Sequence, residues 1–550
     1  MAELLGTFAA PTSTECAIIR GRIQQIGVVM GTLDREIERV EMILERLRSN
    51  RSALQKVSIG HHNVLNPTRR LPVEILGQIF VLLQGMLGGR SIAPTQICRH
   101  WRDVAIGTST LWNCIKVPHS IGRTVSDAEM VALWLQRSGG QPLTILLGCE
   151  SLDWGQSEWD TPTFDTVIGQ AHRWKEFKLH VNDSIVSFLK KIPEDLPMLE
   201  TLYITGHCDE ATPFAKFRNA SALRFLTLDG WPSSPMSIFP WAQMTKCSLL
   251  GGGEYTCQDG YYVLSQAGNL QAYKMQLDAS SAALGVHPPP GIRLEHLMSL
   301  DIDVIEGGNM RHLLDLLTLP ALTHLRVIET LTDDLPERIM AMITRSHCTL
   351  KQLSLGSQGG FTRNELFNIF THTPLLAELE LTFDAGVGLD KSLMDLMTHH
   401  PDHAAGPCCL LSQLVSIKLD VNSYLSYEEF AEFLLMRFNI ASCDSESGAM
   451  AQLRTAALMA WDDTTASGRR AYHLPEETYK KFLQLRNSGL DLYILEDTIR
   501  LELEDYFIPG EEEDDSEEEG DGDSEYEEVD SEGEEDGLED EADEDSSWSG

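Results

Sequence analysis

The distribution of apolar and polar residues follows three successive patterns along the chain. The first is a heptad repeat. Between residues 26 and 54 apolar side chains recur at steps of four and three, the spacing of a coiled-coil helix. One core position of the heptad holds Ile26, Leu33, Val40, Leu47 and Leu54, and the other holds Met30, Ile37, Leu44 and Arg51. Such a helix is marginal alone and needs a partner, either a second copy, which gives a homodimer, or another face of the same chain. We predict a coiled-coil helix over residues 20–58, after a disordered N-terminus over residues 1–19.

The second pattern is that of short amphipathic helices and covers residues 67–117. Pro72 stands where a helix begins, and Glu74 favours the positive end of the helix dipole. A broad apolar face follows, and a glycine-rich stretch ends it. A second helix starts at Pro94, and the alternating stretch LWNCIKV closes the unit. We therefore predict a small all-α unit here.

After residue 140 a third pattern recurs, with apolar residues at the first, fourth and sixth of six positions. Its ten copies start at residues 174, 199, 223, 244, 270, 297, 322, 350, 376 and 414. Steps of 21 to 28 residues, and one of 38, are typical of a leucine-rich-repeat solenoid, in which strands and helices alternate. The predicted fold class is therefore α/β, with an irregular solenoid over residues 118–505.

Helix signals lie between several of these strands. Thr362 and Ser426 each precede a glutamate by three residues, the spacing of a capping box. We interpret residues 441–470 as a surface insertion with a helix. Residues 475–497 read as a closing helix and strand.

Strand alternation decides which side chains of the repeats face solvent. The candidates for contacts with a client protein are Tyr203, Lys274, Asp301, Arg326 and Glu380. A nucleic-acid groove would be basic with interleaved aromatic residues, whereas this row mixes both charges and has one aromatic. We therefore expect a protein partner and no nucleic acid.

Charge is concentrated at the C-terminal end. The net charge is −40, and residues 511–550 hold 24 of the 83 acidic residues and no Lys or Arg. A like-charged block with few apolar residues cannot offset its ordering entropy, so we predict a disordered acidic tail over residues 506–550. Ser516, Ser524 and Ser531 each have a glutamate three positions later, which makes them candidate phosphorylation sites for acidophilic kinases.

Other features restrict the class of function. No apolar run reaches the roughly 18 residues of a membrane span, and the eleven cysteines include no C-x-x-C pair, which indicates reduced thiols in the cytoplasm or nucleus. His399, His400 and His403 are close in sequence, but Pro401 breaks the helix that would align them, so we expect no metal. No catalytic motif is present, and we expect neither an enzyme nor a cofactor.

Residues 67–117 resemble an F-box, and the resemblance is closest to the large F-box groups of mushroom-forming fungi. The family pattern is matched by Leu71, Pro72, Glu74, Ile75, Leu76, Ile79, Phe80, Cys98, Trp101, Arg102, Leu111 and Trp112. The matched residues keep their order and approximate spacing. The segment between Gly89 and Cys98 is a few residues shorter than in the family.

The resemblance implies roles for these residues. It places Leu71, Pro72, Glu74, Ile75, Leu76, Ile79 and Phe80 against a Skp-type adaptor. It places Cys98, Trp101, Leu111 and Trp112 in the core of the F-box. Helical periodicity also makes Ile75, like Trp101, a core residue.

The function that follows is that of a substrate-recognition subunit of an SCF-type (cullin-RING) E3 ubiquitin ligase. The F-box binds the adaptor and its cullin complex, and the repeats bind an unidentified client for ubiquitin-dependent degradation. An alternative is a protein-interaction scaffold outside the ubiquitin system, which uses the coiled coil for assembly and the acidic tail for basic partners.

Overall fold

The computed structural model describes most of the chain between residues 10 and 510. The described residues are 10–86, 92–117, 124–147, 161–181, 185, 189–206, 212–230, 236–251, 255–277, 290–304, 311–329, 334–357, 360–383, 391–398, 410–420, 426–443, 451–460, 472–496, 499–503 and 507–510. The chain divides into two compact units. The first comprises residues 1–376 with 383–388, and the second comprises residues 377–382 with 389–550.

The first unit begins with a single helix, α1, which runs from Ser13 to Leu65. It starts before the predicted residue 20 because Thr12 and Glu15 form a capping box, in which each side chain bonds the other residue's backbone N–H. The helix passes through Gly60 and ends where Asn66 and Pro67 begin a 3₁₀ turn. Nearly all of its side chains are exposed.

A group of short helices follows, as the second sequence pattern predicts. Its members are a 3₁₀ turn Pro67–Arg70, α2 Val73–Met86, α3 Ala93–Ile97, α4 Arg99–Gly107 and a 3₁₀ turn Ser109–Trp112. Helix α2 packs very closely on the start of this last turn, since a methyl group on Gly77 would lie 2.8 Å from the hydroxyl oxygen of Thr108. A small residue is therefore required at position 77.

A parallel β-sheet makes up the rest of the first unit. Its strands are β1 Cys114–Val117, β2 Leu143–Leu147, β3 Trp174–Val181, β4 Thr201–Gly206, β5 Phe225–Asp229, β6 Lys246–Leu250, β7 Ala272–Leu277, β9 Ser299–Val304, β11 His324–Glu329 and β12 Gln352–Ser357. They pair in chain order, and a separate two-stranded ladder joins β8 Ile292–Arg293 to β10 Leu317–Thr318. This arrangement confirms the predicted repeat fold.

The strands alternate buried and solvent-facing side chains, and connecting helices cover the buried face. The helices are α5 Thr124–Arg137, α6 Thr161–Ile168, α7 Cys257–Gln266, α8 Arg311–Leu316, α9 Leu335–Ser346 and α10 Arg363–His372. Other connections use 3₁₀ turns at Ala171–Arg173, Thr212–Asn219, Met236–Ile238 and Trp241–Gln243. The leucines and other apolar residues of the repeat pattern form one continuous core.

Glycines end successive strands where the backbone turns sharply. Gly206 and Gly251 have φ values of +90° and +98°, which favour glycine. A methyl group on Gly251 would lie 2.2 Å from the backbone nitrogen of Gly230. Neighbouring repeats approach too closely at this edge for any larger residue.

The second unit is also built from strands and helices. Its strands are β13 Glu378–Phe383, β14 Ser416–Asp420, β15 Thr455–Ala460, β17 Asp491–Glu496 and the antiparallel β18 Ile499–Leu501, and a separate ladder joins β16 Tyr472–Pro475 to β19 Phe507–Gly510. Its helices are α11 Lys391–Met397, α12 Tyr427–Cys443 and α13 Glu476–Asn487. The predicted closing helix and strand are present as α13 and β17.

Two predicted features of the repeats need correction. The predicted surface insertion with a helix over residues 441–470 is wrong for residues 455–460, which form β15, a strand paired with β14 and β17 that has buried side chains. The parallel sheet also begins earlier than the first recognised repeat, because β1 pairs with β2 and β2 with β3. Residues 114–117 therefore belong to the sheet as well as to the segment with F-box resemblance.

Candidate functional site

Helix α2 divides its apolar side chains between two faces. Leu76 and Phe80 are each only 1% exposed and pack inward. Ile75, Ile79, Leu82 and Met86 stand on another face and are 43%, 42%, 69% and 85% exposed. We call these four residues the α2 apolar face. Their spacing of four, three and four residues places them in one continuous line along the helix.

The structure separates the residues that the resemblance assigns to an adaptor. Pro72 and Glu74 are exposed, and Leu71 is half-buried at the start of the helix. Leu76 and Phe80 lie in the core and are not on the surface that a partner can reach. Ile75 differs from the core position that periodicity predicts for it, because the neighbouring helices pack on the opposite side of α2.

The core of this helical group is small and aromatic. The rings of Phe80 and Trp101 lie 5.1 Å apart between centroids, and Leu111 is 3% exposed. Cys98 is not in the core as predicted but exposed, and its Sγ accepts a hydrogen bond from the backbone N–H of Trp101 at 3.5 Å. This cysteine therefore caps α4, a role that an oxygen-bearing side chain usually fills.

Trp112 attaches the helical group to the sheet. It is 2% exposed, donates from Nε1 to the carbonyl oxygen of Ala105 at 2.7 Å and meets the ring of Trp134 edge-on at 5.2 Å. The guanidinium carbon of Arg137 lies 4.4 Å from the centre of the Trp112 ring. Two of these neighbours belong to α5, so this side chain joins α4 to the first connecting helix of the repeats.

Basic side chains accompany the α2 apolar face in sequence. Residues 48–116 contain nine Lys or Arg and two acidic residues, Glu74 and Asp103, in a chain whose net charge is −40. Arg69, Arg70 and Arg102 are exposed. The sequence in and before the helical group is therefore basic, in a chain that is acidic as a whole.

Charged side chains on the solvent face of the first sheet form ion pairs with one another. Lys274, Asp301 and Arg326 occupy the same register on β7, β9 and β11. Nζ of Lys274 lies 3.1 Å from Oδ2 of Asp301, and Nη1 of Arg326 lies 2.9 Å from Oδ1 of the same carboxylate. The Asp301 side chain is 21% exposed and holds both cations. Three of the predicted candidates, Lys274, Asp301 and Arg326, therefore form one bonded group rather than separate contacts.

The other two client candidates also have polar partners. The hydroxyl of Tyr203 on β4 donates to Oδ2 of Asp229 on β5 at 3.3 Å. In the second unit, Nζ of Lys418 lies 3.1 Å from Oε2 of Glu380. Each pair joins adjacent strands, and each leaves one edge of its side chains open to solvent. Such pre-ordered polar groups are suited to recognising a protein surface.

Replacing Asp301 tests whether this row serves stability. We expect Asp301→Asn to change the free energy of unfolding by less than about 1 kcal/mol, because partly exposed ion pairs contribute little. Chemical denaturation followed by circular dichroism measures this change. A loss above about 2 kcal/mol would identify the row as structural. Ser299→Ala, in the same strand and on the same face, is the matched control.

Several predicted features lie outside the described residues. They are the histidines at 399, 400 and 403, residues 511–550 of the predicted disordered tail, and the serines at 516, 524 and 531. The predicted disorder is wrong for residues 507–510 of the same tail, which form β19. Among the residues that the structure describes, no group of three or more His, Cys, Asp or Glu side chains could hold a metal ion. In the same part of the chain, no helix combines the length and apolar character needed to cross a membrane.

No protein-family model matches the chain, and no curated protein matches it. Among solved structures, a chain in the crystal structure of the Rad7 and Elc1 complex in yeast is similar, at 14% sequence identity and a TM-score of 0.31. The match covers 68% of this chain and 93% of the other. A match at this level says nothing about the partner or activity of the present protein.

Sequence reasoning missed two members of the α2 apolar face and the basic character around it. Leu82 and Met86 follow Ile75 and Ile79 at helical spacing, so the line was readable from the sequence. The F-box pattern has its last matched residue on this helix at Phe80. Leu82 and Met86, which continue the apolar line, were therefore not considered. The charge of residues 48–116 was equally readable, but the acidity of the whole chain masks it.

Proposed function

We propose that this protein is a substrate-recognition subunit of a cullin-type ubiquitin ligase, with residues 67–117 acting as an F-box. The observation that carries the proposal is the α2 apolar face. The helical group already has a core around Phe80 and Trp112, and its own packing still leaves 42% to 85% of the surface of these four apolar side chains exposed. A continuous exposed line of this kind is typical of a helix that docks in an apolar groove.

The apolar and basic side chains of this surface indicate what a binding partner must offer. An apolar groove must receive Ile75, Ile79, Leu82 and Met86, and acidic side chains should border it, because Arg69, Arg70 and Arg102 are exposed nearby in the chain. A Skp-type adaptor is the partner that the F-box resemblance implies. Leu71 and Pro72, at the start of the helix, extend the same contact.

The repeats are proposed to hold a client protein. Their solvent face offers polar groups that are already ordered by contacts between strands, as in Lys274, Asp301 and Arg326. The protein performs no bond chemistry in this scheme. It raises the effective concentration of the client's lysines near the ubiquitin-charged enzyme.

Charged substitutions on α2 test the proposal. We expect Ile79→Glu with Leu82→Glu to weaken binding of a purified Skp-type adaptor at least about 100-fold, because two apolar side chains of about 1.5 to 3 kcal/mol each are lost from the interface. Isothermal titration calorimetry measures the affinity. Leu71→Ala with Pro72→Ala should abolish co-purification of the adaptor as well.

The matched control is Leu133→Glu, which makes the same change at a 40% exposed leucine on α5. It should bind the adaptor like the unaltered protein. Unchanged binding in the α2 variants would remove the proposed docking surface. If the unaltered protein binds no adaptor, and basic proteins are captured only while residues 511–550 are present, the scaffold function is correct instead.

A further inference from the structure

The long helix α1 presents an apolar line that no described part of the chain covers. The line extends the heptad beyond its predicted start, through Ile23 and Ile19 to Cys16. The exposed members are Ile23, Ile26, Met30, Leu33, Ile37, Val40, Leu44, Leu47 and Leu54, with exposed fractions between 43% and 71%. We call the line from Cys16 to Leu54 the α1 seam. Its only charged core position is Arg51.

We propose that the α1 seam binds the α1 seam of a second copy, as a parallel, in-register, two-stranded coiled coil. This inference goes beyond the proposed function and does not depend on it. A second copy matches the seam layer for layer over its whole length, from Cys16 to Leu54.

The area of the seam agrees with a stable dimer. If each exposed seam side chain loses most of its accessible surface, the two helices together bury on the order of 2,000 Å², at the upper end of the standard range for stable interfaces. An isolated α1 helix does not bury this apolar surface. It therefore lacks the main source of helix stability in proteins, which is the packing of an apolar face. Exposed apolar residues from Ile23 to Leu54, a span of more than four heptads, therefore indicate a permanent partner rather than a transient one.

The core positions favour two strands in parallel. Arg51 falls at position a, and a charged residue at a single a position fixes register and a low number of strands, because its long side chain can still reach solvent. Isoleucines at positions 23 and 37 are β-branched a residues, and leucines at 33, 47 and 54 occupy d, the combination that favours dimers, whereas Ile19, Ile26 and Val40 at d do not favour them. The single charged core position, Arg51, is therefore the feature from which we infer two strands.

The parallel register makes two contacts that no other register makes. Cys16 lies at position a, so it faces Cys16 of the second copy at a separation that allows a disulfide. Glu36 lies at position g and faces Glu41, at position e, of the second copy. The dimer therefore contains two like-charged pairs that a substitution can convert into attractive ones.

The first experiment measures mass and orientation in the full-length protein. Light scattering coupled to size exclusion should give twice the 61.4 kDa of the chain, and Leu33→Glu with Ile37→Glu should reduce it to one chain. Oxidation with copper–phenanthroline should cross-link the unaltered protein and Cys98→Ser into covalent dimers, but not Cys16→Ser. A monomeric unaltered protein, or a dimer that survives the seam substitutions, overturns the proposal.

The second experiment tests the register. Glu41→Lys should tighten dimerisation by about five- to thirty-fold, because two repulsive pairs become attractive. Glu45→Lys is the matched control, since it makes the same charge change at the outward position b and should alter the affinity much less. Sedimentation equilibrium measures both. Equal effects of the two substitutions, or a dimer without the Cys16 cross-link, overturn the parallel arrangement.

Discussion

Replacing Trp112 by alanine is expected to lower the free energy of unfolding of the first unit by about 3 to 5 kcal/mol, the range for deletion of a fully buried aromatic side chain. The substitution removes the hydrogen bond to Ala105, the edge-on contact with Trp134 and the contact with Arg137 together. Denaturant unfolding gives the total loss. Hydrogen exchange should show that protection falls first in residues 67–112.

A conservative variant separates the causes. Trp112→Phe keeps an aromatic ring against Trp134 but removes the indole donor, so we expect about 1 to 2 kcal/mol of the loss. Ile106→Ala, at a 39% exposed position in the neighbouring helix α4, should change stability by less than about 1 kcal/mol. If Trp112→Ala also leaves stability within that limit, Trp112 does not fasten the helical group to the repeats.

Replacing Arg437 by alanine is expected to destabilise the second unit by a similar amount, about 3 to 5 kcal/mol. Arg437 on α12 is 0% exposed, and its guanidinium donates to the carbonyl oxygens of Met397 and Leu411. Leu411 adopts a φ of +52°, which is unfavourable for leucine. The buried cation therefore holds both the end of α11 and a strained turn, and its loss removes one charged donor from each of these two carbonyl oxygens.

Arg437→Met distinguishes hydrogen bonding from packing, because it keeps much of the side-chain volume and removes every donor. We expect it to lose most of the same stability, whereas a pure packing role predicts a small loss. Hydrogen exchange in residues 391–398 and 427–443 locates the effect within the unit. Arg454→Ala, at an exposed arginine of the same unit, should be nearly neutral.

The regular parts of the fold were predictable because a period constrains them. Each of the ten six-residue repeats contains a strand, and their apolar positions are buried. Strand β15 escaped because its copy of the pattern, Leu453, Ala456 and Leu458, has alanine where the others have a larger residue. An alanine in the sequence does not indicate a core position by itself. Its burial becomes clear only from the strands that pair on both sides of β15.

The candidate docking surface was predictable only in part. Helical spacing places Ile75, Ile79, Leu82 and Met86 on one line, but it does not tell which face of α2 the helices α3 and α4 cover. That choice depends on contacts distant in sequence, such as the approach of Thr108 to Gly77 and of Trp101 to Phe80. For this reason Ile75 was expected inside and Cys98 in the core, and both lie at the surface.

Strand β1 has a practical consequence for chimeric proteins. Because Cys114–Val117 pairs with Leu143–Leu147, a fusion that exchanges residues 67–117 replaces one strand of the sheet along with the helices. A fusion that stops before residue 114 keeps strand β1 but loses the contacts of Trp112 with α5. Deleting β1 would leave the backbone donors and acceptors at the edge of β2 unpaired and able to pair with a second molecule. An exchange that ends after residue 147 keeps β1, α5 and β2 with the helical group, and the pairing that it must re-form is then the one between β2 and β3.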